Sequence, residues 1–174
     1  MLAARMVLVK LHRRWLIIGE APSMNGNPDK PITGRSGRFL AEVAWGDDAD
    51  VPRFLAGFER KNLLLAWPGH AGKGSAWPIT AARKAASTLL PRLAGRTAIL
   101  LGKRVARAFG MARLGYFTLA PIRCGAAGIM PVWVVIVPHP SGINRWWNDP
   151  ANRKKAGGWL RVAWHDSFNA ARRR

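Results

Sequence analysis

Short apolar runs alternate with amphipathic stretches along this chain, and that alternation constrains the fold more than any other feature. The runs are Trp15–Ile18, Asn62–Trp67, Thr97–Leu101 and Val132–Val137. Strand–helix alternation of this kind indicates a parallel sheet with helices on both faces. We therefore expect an α/β fold, a three-layer αβα sandwich around a central four-stranded, mostly parallel sheet.

The stretches between and after these runs carry helical spacing. Asp149 is placed to cap the last helix, with Pro150 at its first position. No linker divides the 174 residues, so we expect a single domain over 1–174, with a short N-terminal arm (1–12) and a basic C-terminal tail (170–174). The predicted helices are Ser36–Trp45, Thr80–Leu93, Lys103–Phe109 and Pro150–Phe168.

The charge balance is strongly basic: 28 Lys and Arg residues stand against 9 acidic ones, for a formal net charge of +19. A domain this basic attracts polyanions, and we expect DNA as the partner of a monomer. A membrane surface or the ribosome would also attract such a charge. No apolar run reaches the length of a spanning helix. The stretch Met1–Leu11 lacks a clear apolar core followed by a small-residue cleavage site, and it is interpreted as a leading strand or an arm rather than a signal peptide.

The chain has a single cysteine, Cys124. One thiol excludes an intramolecular disulfide and a four-thiolate metal or iron–sulfur site within this chain. We interpret Cys124 as a small buried apolar residue rather than a nucleophile. We expect no metal or other cofactor and a cytoplasmic location.

Three polar loops follow strands of the predicted sheet: Gly19–Thr33, Pro68–Pro78 and Pro138–Asn148. In open α/β sheets, ligands bind beyond the carboxyl ends of the strands. We therefore expect the three loops to gather at one edge and to form the rim of an active site.

Two side chains in these loops stand out for catalysis. His139 lies between Pro138 and Pro140, which restrict the backbone, and its imidazole could donate a hydrogen bond to a developing oxyanion. Glu20 directly follows a buried strand, where a carboxylate could position water or stabilise a cationic sugar. The alternative for Glu20 is a turn cap or a partner for a nearby arginine. Asn25, in the same loop, could also orient water.

The loop after His139 mixes amide, arginine, aromatic and aliphatic side chains, which is typical of a wedge that contacts nucleic acid. Its tryptophans could equally belong to the core. The Gly34–Gly37 stretch suggests phosphate binding at a helix start. No phosphate-binding Gly-x-x-x-x-Gly-Lys motif and no Gly-x-Gly-x-x-Gly motif follows the first strand. The expected DNA contacts are Ser36, Lys73, Ser141, Gly142, Ile143, Asn144, Arg145 and Trp146.

Taken in order, these motifs resemble those of the uracil-DNA glycosylase superfamily, closest to families 4 and 5. The resemblance spans roughly residues 15–165, and each of its motifs is short. The matching segments are Gly19–Pro22, Asn25–Gly37, Asn62, Trp67–Gly69, Ala98–Gly102 and His139–Ser141.

The resemblance implies a DNA glycosylase that hydrolyses the N-glycosidic bond of uracil or a related base. Glu20 would orient the attacking water, and His139 would stabilise negative charge on the departing base. Ile143 or the neighbouring tryptophans would wedge into the duplex. Asn62 would read the polar edge of the flipped pyrimidine, in a base site formed by Ala21, Pro22, Ile32, Asn62 and Trp67.

Two features depart from the family pattern. The single cysteine cannot supply the four thiolates of the family 4 iron–sulfur cluster. Ile32 stands where the family usually places a phenylalanine that stacks on the base, so another base or another platform, such as Trp67, is implied. A catalytically inactive DNA-binding module and an enzyme acting on modified nucleotides remain the alternative functions.

Overall fold

The computed structural model describes residues 14–24, 26–69, 77–123, 130–141 and 144–172. Within these residues the chain forms five strands, five α-helices and two short 3-10 turns. The strands are β1 (Leu16–Gly19), β2 (Glu59–Asn62), β3 (Thr97–Leu101), β4 (Leu119–Ile122) and β5 (Val132–Val137). The helices are α1 (Arg35–Trp45), α2 (Val51–Ala56), α3 (Ile79–Leu89), α4 (Gly102–Ala108) and α5 (Pro150–Arg172).

The five strands form one sheet in the order β2-β1-β3-β5-β4. All neighbours pair in parallel except β4, which runs antiparallel to β5 at one edge. The predicted α/β class and mostly parallel sheet are confirmed, but the sheet has five strands rather than four. The extra strand, β4, was not predicted because Pro121 lies within it, and proline is tolerated only in edge strands.

Two apolar layers enclose the sheet because successive residues of each strand face opposite sides. Ile17 of β1 faces a cluster that includes residues of α1 and α5. Its neighbours Leu16 and Ile18 face a second cluster, which includes residues of α3 and α4. Helices on both faces therefore give the three-layer arrangement that the sequence predicts.

The second strand is placed differently from the prediction. The sequence suggests a strand over Asn62–Trp67, whereas β2 covers Glu59–Asn62 and ends where the predicted strand begins. β2 is an edge strand with charged, partly exposed side chains, so its sequence lacks the apolar character of a buried strand. Beyond it, the backbone N–H groups of Leu63 and Leu64 donate to the carbonyls of Gly19 and Glu20. The register therefore places Asn62 beside the end of β1.

The last helix agrees at its start and differs at its end. The Asp149 carboxylate accepts a hydrogen bond from the Ala151 N–H at 2.8 Å, as expected of an N-cap. α5 continues to Arg172, so the predicted tail at 170–174 begins inside the helix. The predicted arm at 1–12 and Cys124 lie outside the described residues. No helix in the described part of the chain is long and apolar enough to span a membrane.

Two further helix assignments needed correction. α3 ends at Leu89 and a 3-10 turn, Leu90–Leu93, replaces the last turn of the predicted helix. α2 was not predicted, although Asp50 accepts a hydrogen bond from the Arg53 N–H at its start. At six residues, α2 is too short to give the apolar periodicity on which helix prediction depends.

Candidate active site

The carboxyl ends of the parallel strands meet at one edge of the sheet, where a cleft of about 780 Å³ opens. In the strand register Gly19 pairs with Asn62, and Leu101 pairs with Val137. The loops that leave these positions therefore start side by side. The cleft is lined by Gly19, Glu20, Ala21, Pro22, Ser23, Met24, Gly26, Asn27, Lys30, Ile32, Thr33, Gly34, Arg35, Ser36, Asn62, Leu101 and His139.

Glu20 enters the cleft directly after β1. Its side chain is 18% exposed, and its Oε2 atom lies 3.3 Å from the Arg104 Nη1 atom. Arg104 approaches from α4, the helix that follows the neighbouring strand β3. Glu20 therefore lies where a catalytic carboxylate is expected, in the lining of the cleft, and it also pairs with an arginine, as in the alternative interpretation.

His139 lies two residues beyond the end of β5, and its backbone carbonyl is held by three donors. These donors are the Ser141 N–H at 2.8 Å, the Asn144 Nδ2 at 3.1 Å and the Trp147 Nε1 at 2.9 Å. The carbonyl is therefore fixed toward the following loop. His139 also lines the cleft.

The electrostatic surroundings of His139 favour its neutral form. Burial lowers the pKa of His139, the Glu20 carboxylate raises it, and the Arg104 guanidinium lowers it again, with a net decrease from the ordinary value of 6.5. Neutral imidazole carries one N–H donor and one acceptor. The site therefore presents the Glu20–Arg104 salt bridge beside an imidazole whose neutral form is favoured.

Asn62 and Ile32 converge above Gly19. Asn62 is 8% exposed. A Cβ atom at position 19 would lie 2.8 Å from Asn62 Oδ1 and 3.3 Å from Ile32 Cγ1, so the absence of a side chain at Gly19 lets both reach this point. The amide and the aliphatic side chain therefore share one wall of the cleft.

The backbone of Ile32 is strained, with φ at 62°. A β-branched residue in the left-handed region costs about 1–2 kcal/mol, and such strain concentrates at functional sites. Gly37, in the first turns of α1, accommodates this loop because a Cβ atom there would collide with the Ile32 carbonyl oxygen. The fold therefore tolerates an unfavourable backbone to hold Ile32 in the cleft.

The N-terminus of α1 opens into the same cleft through Gly34, Arg35 and Ser36. Gly34 occupies the N-cap position and provides no side-chain cap for the first turn. Uncapped backbone N–H groups at a helix start, together with the positive end of the helix dipole, favour an anion such as phosphate. The predicted contact of Ser36 with a phosphate stays a prediction.

The predicted base-contacting residues divide into two groups. The cleft contains the predicted residues Ala21, Pro22, Ile32 and Asn62, but not Trp67. Trp67 is displaced because the chain leaves the sheet after Asn62 rather than continuing as a strand. A role for Trp67 as the base platform is therefore not supported by the geometry.

The predicted DNA-contacting loop is braced internally. Trp147 is buried, 5% exposed, which favours a place in the core over a role as a wedge. Trp146 packs edge-to-face on it, with ring centroids 4.8 Å apart, and also contacts Tyr116 and Phe117. The Asn144 side chain donates to the His139 carbonyl and accepts from the Trp146 N–H at 3.2 Å.

Contacts of this loop with DNA stay a prediction. Ser141 is partly buried, and its N–H donates to the His139 carbonyl, whereas Arg145 is exposed. Four other predicted site residues lie outside the described part of the chain: Asn25, Lys73, Gly142 and Ile143.

Arg104 is the main site residue that the sequence analysis missed. It lies on α4, predicted as a short basic helix, and one arginine among several carries no distinguishing signal. Its position could have identified Arg104, because α4 begins at the carboxyl end of a central strand, where the site was expected. Lys30 also lines the cleft and was missed for the same reason, whereas Arg35 belongs to the Gly34–Gly37 stretch that was predicted to bind phosphate.

No group of three or more His, Cys, Asp or Glu side chains that could hold a metal ion occurs among the described residues. The chain's single cysteine also cannot provide the four thiolates that an iron–sulfur cluster requires.

The fold and the site define an open α/β domain whose carboxyl edge presents an acid, an imidazole, an amide and a helix start suited to phosphate. A family model described as the Uracil DNA glycosylase superfamily matches residues 7–164, and the chain belongs to this superfamily. Membership indicates a glycosylase-type function. No curated protein matches the sequence.

Proposed function

We propose that this protein is a monofunctional DNA glycosylase, which hydrolyses the N-glycosidic bond of uracil or a related damaged or modified base in DNA. The observation that carries the proposal is the convergence of Glu20, Asn62 and His139, from three different strand ends, on one cleft. The net charge of +19 supports a polyanionic substrate rather than a free base or nucleoside.

The proposed reaction breaks the bond between the sugar C1′ and the base nitrogen. The bonding electrons leave with the base, which becomes an anion while the sugar becomes cationic. The ionised Glu20 stabilises the sugar cation and orients a water molecule, whose oxygen then bonds to C1′ as its proton passes to the carboxylate. Asn25 is a second candidate for orienting this water.

His139 acts on the departing base. Its neutral imidazole donates a hydrogen bond to the oxygen on which negative charge develops, and this interaction strengthens in the transition state. Burial of His139 supports this role, because a donor in a site that excludes water is worth more than one in solvent. An uncharged donor also avoids forming a second ion pair with Glu20.

Asn62 reads the polar edge of the flipped base, since its amide both donates and accepts and it lies 8% exposed in the cleft. Ile32 covers the base with an aliphatic rather than an aromatic side chain. The N–H groups at the start of α1, with Ser36, hold a phosphate next to the flipped nucleotide. Ile143 and Trp146 contact the duplex around the gap.

The test is base release from labelled oligonucleotides. Single-stranded and duplex DNA bearing one uracil, hypoxanthine, xanthine or hydroxymethyluracil is incubated with the protein and then treated with alkali to cleave abasic sites. We expect cleavage at the modified position for at least one base. We also expect DNA binding that weakens steeply with salt, because many phosphates are neutralised.

Two outcomes would overturn the proposal. Salt-dependent DNA binding without base release from any oligonucleotide would identify a DNA-binding module. Hydrolysis of free modified nucleosides, with no preference for DNA, would identify an enzyme acting on nucleotides.

A further inference from the structure

We propose that Arg104 is a positioning residue for the Glu20–His139 pair. Its guanidinium holds the Glu20 carboxylate in the cleft and balances that negative charge beside the neutral imidazole. The role rests on the proposed function, since the residues it positions are those assigned to the reaction.

The first observation is the ion pair between α4 and the loop after β1. The Nη1 atom of Arg104 lies 3.3 Å from Oε2 of Glu20, and the two side chains are 47% and 18% exposed. A pair this exposed contributes little to stability because solvent screens it. Its significance is geometric, since Arg104 does not line the cleft and contacts Glu20 from outside it.

The second observation is that the start of α4 lies against His139. A Cβ atom at Gly102 would come within 2.9 Å of the His139 Cβ atom, so the helix that carries Arg104 begins in contact with the imidazole residue. One short helix therefore fixes the distance of Arg104 from both Glu20 and His139.

The third observation is that Glu20 and Arg104 act on His139 in opposite directions. The carboxylate raises the pKa of His139 and the guanidinium lowers it, both in addition to the larger decrease due to burial. Lys30 and Arg35 also line the cleft, but the charges that act on His139 are those of Glu20 and Arg104. Lys103, also on α4, donates to the Ala112 and Leu114 carbonyls, and Arg145 after β5 is exposed.

The balance matters for the reaction because an uncompensated carboxylate next to an imidazole favours its protonation. A protonated His139 would pair with Glu20 and draw the carboxylate away from the water and the sugar cation. Arg104 therefore keeps Glu20 available for the sugar and His139 available for the base.

The experiment compares the wild type with three variants: Arg104→Ala, Arg104→Lys and Arg107→Ala. Arg107 is an exposed arginine on the same helix, so its removal matches the loss of net charge without touching Glu20. Titration of His139 is followed by NMR of labelled imidazoles and assigned with His139→Gln. Base release is measured in single turnover, alongside the Kd for DNA.

We expect Arg104→Ala to raise the pKa of His139 and to lower the single-turnover rate of base release about tenfold or more. Its Kd for DNA should change no more than that of Arg107→Ala. Arg104→Lys should restore both the wild-type titration and most of the rate, whereas Arg107→Ala should leave the titration unchanged.

Two results would overturn the role of Arg104. One is an unchanged His139 titration in Arg104→Ala. The other is a loss of rate in Arg104→Ala that Arg107→Ala reproduces. Since the titration needs no substrate, its failure is distinct from failure of the glycosylase proposal, which would appear as absence of base release by the wild type.

Discussion

Gly102 and His139 lie so close that a Cβ atom at position 102 would come within 2.9 Å of the His139 Cβ atom. Gly102 also has a φ of +88°, which side chains rarely adopt. The end of β3 and the end of β5 are thus packed together through a residue without a side chain. A side chain at position 102 would therefore have to displace His139.

Gly102→Ala should therefore displace His139. We expect the free energy of unfolding to fall by about 1–2 kcal/mol because of backbone strain. We also expect the single-turnover rate of base release to fall about tenfold or more, because the His139 imidazole, the proposed hydrogen-bond donor, is displaced. The measurements are denaturant unfolding and single-turnover base release.

Gly110→Ala is the matched control, since Gly110 has a φ of +75° and nothing within 4 Å of the added Cβ. It should lose similar stability and keep its kcat. Equal loss of rate in both variants would show that strain alone, rather than contact with His139, explains the effect.

Burial of His139 predicts a specific dependence of stability on pH. Because burial lowers its pKa in the folded state, the unfolded chain binds this proton more tightly. The stability associated with a neutral His139 is complete above its ordinary pKa of about 6.5 and is lost as the pH falls from there toward the folded-state pKa.

His139→Gln should remove this contribution. We expect the free energy of unfolding of the wild type to fall relative to that of His139→Gln as the pH is lowered from about 7.5 to 5.5. Taking the difference cancels the titration of groups that the two proteins share. A difference that stays constant across this range would contradict a buried neutral imidazole.

Gly37 provides a test of the strained loop at Ile32. A Cβ atom at position 37 would collide with the Ile32 carbonyl oxygen, whereas one at Gly34 would meet nothing within 4 Å. We expect Gly37→Ala to destabilise the fold by about 1–3 kcal/mol and to raise KM for the oligonucleotide as the wall of the cleft shifts.

Gly34→Ala should cost about 0.5–1 kcal/mol, because alanine is a poorer N-cap than glycine, and it should leave KM unchanged because the added Cβ meets nothing within 4 Å. Thermal unfolding and steady-state kinetics of the two variants decide the question. If Gly37→Ala keeps both wild-type stability and KM, the close approach of Ile32 to α1 has no functional role.

Asn144 was predicted to contact DNA, whereas its side-chain contacts indicate a brace for the His139 loop. Asn144→Ala should lower the free energy of unfolding by about 1–2 kcal/mol and lower kcat, while Kd for DNA stays near the wild-type value. Asn148→Ala, at an exposed position in the adjacent turn, is the control. Weaker DNA binding by Asn144→Ala at unchanged stability would support the original prediction.

The central strands and the positions of Glu20 and His139 could be predicted because buried parallel strands have a clear sequence pattern. Val132–Val137 matches β5 residue for residue, since a strand buried on both faces requires a continuous β-branched and apolar run. The carboxyl-edge rule then predicts from the sequence alone that Glu20 and His139 lie at the same edge of the sheet.

The edges of the sheet could not be predicted in the same way. β2 is Glu-Arg-Lys-Asn and β4 contains Pro121, so neither resembles a buried strand. The prediction placed Asn62 at the beginning of a strand, whereas it lies at the end of β2, on the carboxyl edge of the sheet beside Gly19. The pairing of Glu20 with Arg104 depends on the approach of α4 to β1, which local sequence does not encode.

The central claim is that Glu20 and His139 act on the bond being broken rather than on DNA binding. It is tested most directly by single-turnover base release from the oligonucleotide that the wild type prefers, measured for Glu20→Gln and His139→Gln together with Kd. We expect each variant to lose about 10²–10⁴-fold in rate and to keep its Kd within a few-fold of the wild type. A parallel loss of rate and affinity, or rates equal to that of the wild type, would contradict the claim.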